Sequence, residues 1–198
     1  MKKFKITHRF PDIEEVENKL KEITKSQFEF EIIKDETEAF CSADGILAID
    51  ALIYFEKNWE EMLLHPGVYD IIKGSIILLW IKVYNRFIKA KSHKIDGNHQ
   101  IEISFKKKKD GEIKFNLKGD LNNSQIKEIT ESLFEIASSE QKTTDLLSNS
   151  DYINPKSKKP IVLMQYNKEI NEWEPLNYKE IQDYINKKIN DANETYNS

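Results

Sequence analysis

The sequence predicts an α+β fold: an N-terminal strand–helix–strand, a central buried helix, a β-hairpin followed by a helix, and a small C-terminal strand and helix. Three observations carry this. Phe4, Ile6, His8 and Phe10 alternate with polar residues, and Phe28, Phe30 and Ile32 do so again after a stretch of helical spacing. The longest apolar run, Gly74 to Ile81, lies within a segment from Val68 to Ile88. Two alternating rows, Ile101-Ile103-Phe105 and Ile113-Phe115-Leu117, flank Asp110-Gly111.

Taken in order, residues 4–10 read as a strand. Pro11 and Asp12 open a helix, since proline suits the first helical position and an acid suits the first turn. Ile13, Val16, Leu20 and Ile23 follow at helical spacing. Phe28 to Ile32 is the second strand. The three elements make a candidate βαβ unit, with a right-handed crossover if the strands are parallel.

Ile46 to Phe55 is apolar enough for a helix or a buried strand. Ile46, Ile49 and Ile53 fit the helical period, so the reading is a helix running on through Trp59, Met62 and Leu63, with a strand as its rival. His65-Pro66-Gly67 ends the element. Val68 to Lys91 is the next helix, and its first half is apolar all round, so it belongs in the middle of the fold. Residues 92–98 form a loop.

Pairing parity governs the hairpin. A two-residue Asp-Gly turn would put the two apolar rows on opposite faces. A three-residue loop, Lys109-Asp110-Gly111, puts them on one face, with Gly111 in the left-handed position of a bulge. That register pairs Lys108 with Glu112, Phe105 with Phe115 and Ile103 with Leu117. Asn122 or Asn123 caps the next helix, whose buried stripe is Ile126, Ile129, Leu133, Ile136 and Ala137.

Residues 141–160 are polar and hold Pro155 and Pro160, which reads as a linker between a main domain (1–140) and an appendage (161–198). In the appendage, Ile161 to Tyr166 is a strand and a hairpin region leads to Trp173. Asn177 caps a last helix with Tyr178, Ile181, Ile185 and Ile189 on one face.

Composition narrows function. Of 198 residues, 39% are hydrophobic and 32% charged, with net charge −4. Arg9 and Arg86 are the only arginines. Nucleic-acid readers use arginine forks and a basic surface, and phosphate sites favour arginine clamps. No nucleic-acid partner is expected. Cys41 is alone, which rules out a disulfide framework or a cysteine zinc cluster within the chain. The basic start, Met1 to Lys3, has no apolar core after it, which reads as cytoplasmic. Gly74 to Ile81, flanked by Lys73 and Lys82, is too short to span a bilayer, so no transmembrane segment is expected.

Candidate chemistry is sparse, and each candidate has a plainer structural reading. Cys41 needs a base to lower its pKa, and His65 is distant in sequence. His93, Asp96 and His99 form a loop H-x2-D-x2-H. Imidazoles and a carboxylate can hold zinc, iron or nickel, but the spacing fits no standard site and a solvated loop accounts for it. Lys106 to Lys109 suits phosphate contact or, more simply, a solvated strand end that deters aggregation. Asp44 with Asp50, or Glu60 with Glu61, would serve as acid–base pairs but look like caps and surface acids. No phosphate-binding loop or nucleophile-elbow motif occurs. The reading assigns no catalytic residue and no cofactor.

The order of elements over Lys2 to Lys34, Ile71 to Ile88 and Ile101 to Ala137, with Lys109-Asp110-Gly111-Glu112 at a hairpin tip, resembles the effector-associated constant component family of bacterial conflict systems. In that comparison residues 35–66 look like an insertion and 141–198 have no counterpart. The resemblance implies a non-catalytic partner of an effector in antiviral or inter-bacterial conflict. From the residues alone the expectation is a protein–protein interaction or adaptor module, with hairpin edges that take a partner strand or self-pair into a homo-oligomer. The alternatives are a small enzyme or small-molecule binder with a pocket beside the central helix, and a mobile-element protein that blocks a host factor.

Overall fold

In a computed structural model of the chain, residues 4–8, 13–24, 30–34, 49–56, 58–65, 67–92, 100–107, 111–118, 121–183 and 186 are described. The fold is α+β and is built on one mixed sheet of seven strands. They are β1 (Phe4–His8), β2 (Phe30–Lys34), β3 (Ile49–Phe55), β4 (Gln100–Lys106), β5 (Glu112–Lys118), β6 (Ile161–Asn167) and β7 (Glu172–Pro175). Their spatial order is β2-β1-β3-β4-β5-β6-β7. The helices are α1 (Glu14–Thr24), α2 (Glu60–Leu63), α3 (Val68–Ser92), α4 (Asn123–Ser138) and α5 (Glu140–Ser148).

Parallel and antiparallel pairs alternate across the sheet. β1 runs parallel to β2, β3 to β4 and β5 to β6; β1–β3, β4–β5 and β6–β7 are antiparallel. Each parallel pair is joined through helical chain: α1, then α2 and α3, then α4 and α5. That is the connection a parallel pair demands, because its second strand must start again from the first strand's beginning. The strand–helix–strand unit expected at the N-terminus is therefore parallel.

One face of the sheet holds the core. Phe4, Phe55, Phe105, Ile113 and Val162 form a single row across five strands, and all are buried. Phe55 and Phe105 stack with centroids 4.4 Å apart, and Phe134 of α4 meets both edge-on. Val16 and Leu20 of α1, Ile72, Ile76, Leu79 and Trp80 of α3, and Ile126, Ile129 and Leu133 of α4 share that core. The helix expected in the middle is α3, which touches both α1 and α4. Its stretch 83–91 is helical, but the side chains of Val83, Tyr84, Phe87 and Ile88 lie outside the described residues. Trp80 reaches across, and its indole N–H donates to Leu121 O at 3.0 Å. Of the two candidate caps for α4, Asn122 takes the role: its side chain accepts from Ser124 N and Gln125 N, and Gln125 returns a bond to its backbone.

Three expectations change. Residues 49–55 are a strand, not a helix. β3 lies between β1 and β4, so Ala51, Ile53 and Phe55 enter the core while Leu52 and Tyr54 are half-buried on the other face. A short apolar run of this kind is one that periodicity cannot separate from a buried helix. The helix that follows is only α2, four residues long. The stretch set aside as an insertion thus supplies a central strand.

The hairpin register is shifted by two. Both apolar rows do share a face, but Phe105 pairs with Ile113, Ile103 with Phe115, and Lys106, not Lys108, with Glu112. Lys107 N–H donates to Gly111 O at 2.8 Å, so the connection is longer than three residues. Gly111 is buried and is not among the positive-φ residues. Its role is clearance: a Cβ there would sit 2.7 Å from a methyl of Leu147 in α5.

The stretch 141–160 carries α5 and a 3-10 turn, Ser150–Tyr152. β6 and β7 extend the main sheet, and Val162, Met164 and Trp173 enter its core. Asn177 does cap a helical turn, accepting from Glu180 N at 3.1 Å. Ile181 on that turn is 38% exposed, and Ile185 and Ile189 lie outside the described residues. No helix among the described residues is long and apolar enough to cross a membrane.

Candidate functional site

The helices pack on one face of the sheet, and strand alternation sends the other residues of every strand to the second face. On this face the central strands carry a polar cluster. Register places Tyr54, Ser104 and Lys114 side by side on β3, β4 and β5, and Leu52, Glu102 and Asn116 in the adjacent row. Lys106 and Glu112 are paired one step further along.

Lys114 joins the cluster. Its ammonium donates to Glu102 Oε1 at 2.8 Å and lies 3.6 Å from Glu112 Oε1. The Ser104 hydroxyl donates to the same Glu112 oxygen. Lys106 pairs with Glu56 at 3.6 Å. Glu102 is 5% exposed and Asn116 6%, low values for polar side chains on the face opposite the core. Asn116 Oδ1 is buried and accepts no hydrogen bond.

Electrostatics hold Lys114 and Tyr54 in their resting protonation states. Burial pulls the Lys114 pKa down, but the Glu102 and Glu112 carboxylates more than offset this, and the net shift is upward. Burial, then the charges of Glu112 and Glu56, push the Tyr54 phenol up to about 12, with Lys114 opposing them. A lysine nucleophile needs a depressed pKa and a tyrosine base needs a phenolate. Both shifts run the opposite way. The cluster can accept hydrogen bonds and hold charge, and neither Lys114 nor Tyr54 is activated as a nucleophile or base.

The lysine run divides. Lys107 turns inward: its ammonium donates to Glu60 Oε1 at 3.0 Å and to Ala137 O at the end of α4, and lies 5.3 Å from the centre of the Trp59 ring. A cation at a helix C-terminus meets the unpaired carbonyls and the negative end of the dipole. Glu60, one of the candidate acids, is thus engaged in a structural ion pair. Glu61 and His65 are exposed. Cys41, Asp44, His93, Asp96, His99, Lys108 and Lys109 lie outside the described residues, as does the side chain of Asp50. Among the described residues no three His, Cys, Asp or Glu side chains converge on a point where a metal could sit.

Sequence reasoning missed Glu102, Ser104, Glu112, Lys114 and Asn116 as a group. The even-numbered positions of the two hairpin strands were the available signal. They look like solvent-facing positions, and only the register brings Glu102 and Glu112 to the same ammonium.

The sheet ends differently on its two sides. β7, four residues long, carries Glu172 and Glu174 and ends at Pro175. β2 carries Phe30, Glu31, Ile32, Ile33 and Lys34, with no proline, and the first four are half-buried. Among the described residues no strand pairs with the outer side of β2.

Comparison with family models, curated proteins and solved structures found no match to this chain.

Proposed function

We propose that this protein is a non-catalytic interaction module that takes an extended segment of a partner protein on the outer edge of β2. The contrast between the two sheet edges carries the reading. An edge strand offers a row of backbone donors and acceptors, and proteins blunt such edges with short strands, charges and proline. β7 has all three devices. β2 has Phe30, Ile32 and Ile33 in five residues, and its pairing groups are all present because it contains no proline. Strand addition uses those groups for affinity and alternate side chains for specificity. The protonation states of Lys114 and Tyr54 agree with a binding role.

The resemblance of residues 1–140 to the effector-associated constant component family gives the setting of this proposal: a cytoplasmic protein whose partner is an effector of a bacterial conflict system. A mobile-element protein that blocks a host factor would use the same edge.

Site-specific photocrosslinking in cells that also express the neighbouring genes tests this. A photoreactive residue replaces Ile33 in β2 or, separately, Glu174 in β7. The expected result is a discrete crosslinked partner from position 33 and none from position 174. Crosslinking from position 174 alone, or from neither, overturns the proposal.

A further inference from the structure

The core of the sheet runs out at β2 without being closed off there. Phe30 and Ile32 stand beside Phe4 and Ile6 on the core face, and Glu31 and Ile33 beside Lys5 and Thr7 on the other. Phe30 and Ile32 pack against the buried cluster yet stay half-buried, as does Ile33. Apolar surface is therefore left at the margin on both faces, next to a backbone edge that no described strand pairs with. Neither charge on the strand calls for a new partner. Glu31 lies 3.8 Å from Lys5, and both Glu31 and Lys34 have further interactions within the chain. A cover for β2 must supply backbone groups and apolar side chains.

The strand is complementary to itself. Two copies laid side by side and antiparallel are related by a two-fold axis perpendicular to the sheet, which keeps each side chain on its own face. A parallel pair would turn one helical layer over and set Phe30 and Ile32 against the wrong face of the second copy. In the antiparallel pair a residue sits opposite one of the same face, so the axis passes through a residue: Glu31, Ile32 or Ile33. An axis at Glu31 pairs only three residues of each five-residue strand and sets the two carboxylates against each other, which is destabilising. An axis at Ile33 also pairs only three. An axis at Ile32 pairs all five: Ile32 with Ile32, Glu31 with Ile33, and Phe30 with Lys34. No like charges are then opposed, and the Lys34 stem can lie along Phe30. Phe30 and Ile32 of both copies share one face.

We propose that β2 pairs with β2 of a second copy of this chain, antiparallel with Ile32 on the two-fold axis, and that this dimer occupies the edge until a partner segment displaces it. The displacement rests on the partner reading, since both occupants use the same backbone groups and exclude one another; the self-pairing does not. Five residues make a contact about 17 Å long. That belongs with the small interfaces, below about 1,200 Å², that form weakly and exchange. Assembly stops at two copies, because the outer edge left on each side is β7, which is short, acidic and ends in proline.

Cysteine scanning of the purified full chain, in a Cys41→Ser background, tests the register. Directly opposed residues of antiparallel strands lie about 4.5–5.5 Å apart at Cα, within reach of a disulfide, whereas diagonal neighbours at about 7–8 Å are not. Under a mild oxidant Ile32→Cys should form a disulfide dimer, and Glu31→Cys, Ile33→Cys and the exposed control Lys142→Cys on α5 should not. Sedimentation velocity of the unmodified chain should show a reversible monomer–dimer equilibrium, and it decides the matter should Cys41→Ser fail to fold. Crosslinking at 31 or 33 instead of 32, a dimer that does not crosslink at 32, equal crosslinking at 142, or a wild type that is monomeric at every concentration overturns the proposal. A monomer leaves the partner reading standing, and a dimer with no crosslinked partner in cells does the reverse.

Discussion

Tyr54 illustrates how a single residue reports on its surroundings. Its phenol, held at about 12 by burial and by Glu112 and Glu56, ionises at about 10 in an unfolded chain. A group whose folded pKa is raised stabilises the fold below its unfolded pKa and loses that contribution as pH rises towards the folded value. Lys114 shifts in the same direction, and its ion pairs also require the protonated form. Stability should therefore fall between about pH 10 and 12. Urea midpoints measured across this range should drop for the wild type and drop less for Tyr54→Phe. Equal slopes would remove the phenol from the account. The sequence showed Tyr54 only as part of an apolar run. Its neighbours Ser104 and Lys114 lie far along the chain and meet it through strand register alone.

At the scale of elements, the hairpin and α5 explain one another. Asp110-Gly111 looks like a turn signal, and glycine at such a place is usually there for backbone conformation. Here the backbone of Gly111 needs no left-handed angle, and the methyls of Leu147 occupy the space a side chain would take. Gly111→Ala should cost about 1–3 kcal/mol through overpacking. Leu147→Ala opens the space, so the double variant should lose less stability than the two single changes summed, in denaturant melts. A purely conformational role for Gly111 predicts no such coupling. β3 teaches a related lesson. Its residues satisfy helical spacing locally, and pairing with β1 and β4 overrides that preference because the strand gains two ladders of hydrogen bonds and buries Ala51, Ile53 and Phe55 in the core.

Over the whole molecule, the sheet runs without a break from β2 to β7. Composition placed a boundary near residues 141–160, because polar residues and proline usually mark linkers. The structure uses that stretch to carry the chain from α4 to the far side of β5. β6 then pairs with β5, and Trp173 packs edge-on against Phe115 at 4.9 Å while its indole N–H reaches Ser132 of α4. A fragment of residues 1–140 would lose the buried side chains Val162, Met164 and Trp173, worth about 1.5–3 kcal/mol each. That sum rivals the total stability of an ordinary domain, about 5–15 kcal/mol. The fragment would also expose β5 as an unpaired seven-residue edge. It should be unfolded or aggregated by circular dichroism and size-exclusion chromatography, whereas the full chain is folded. A monomeric, cooperatively melting fragment would restore the boundary.

The sequence by itself determined the α+β class, the N-terminal strand–helix–strand, the long central helix, the hairpin strands and a capping asparagine at 122 or 123. Each of these rests on patterns among residues close along the chain, such as alternation, helical spacing or a capping side chain, and local sterics and hydrogen bonding are enough to impose them. The tertiary structure alone decided that 49–55 is a strand, how β4 and β5 align, that one sheet takes in β6 and β7, and that Glu102, Glu112, Lys114 and Asn116 meet. Those outcomes depend on which distant segment lies alongside, and a short apolar run or an outward-facing glutamate carries the same local signature whatever its eventual neighbour.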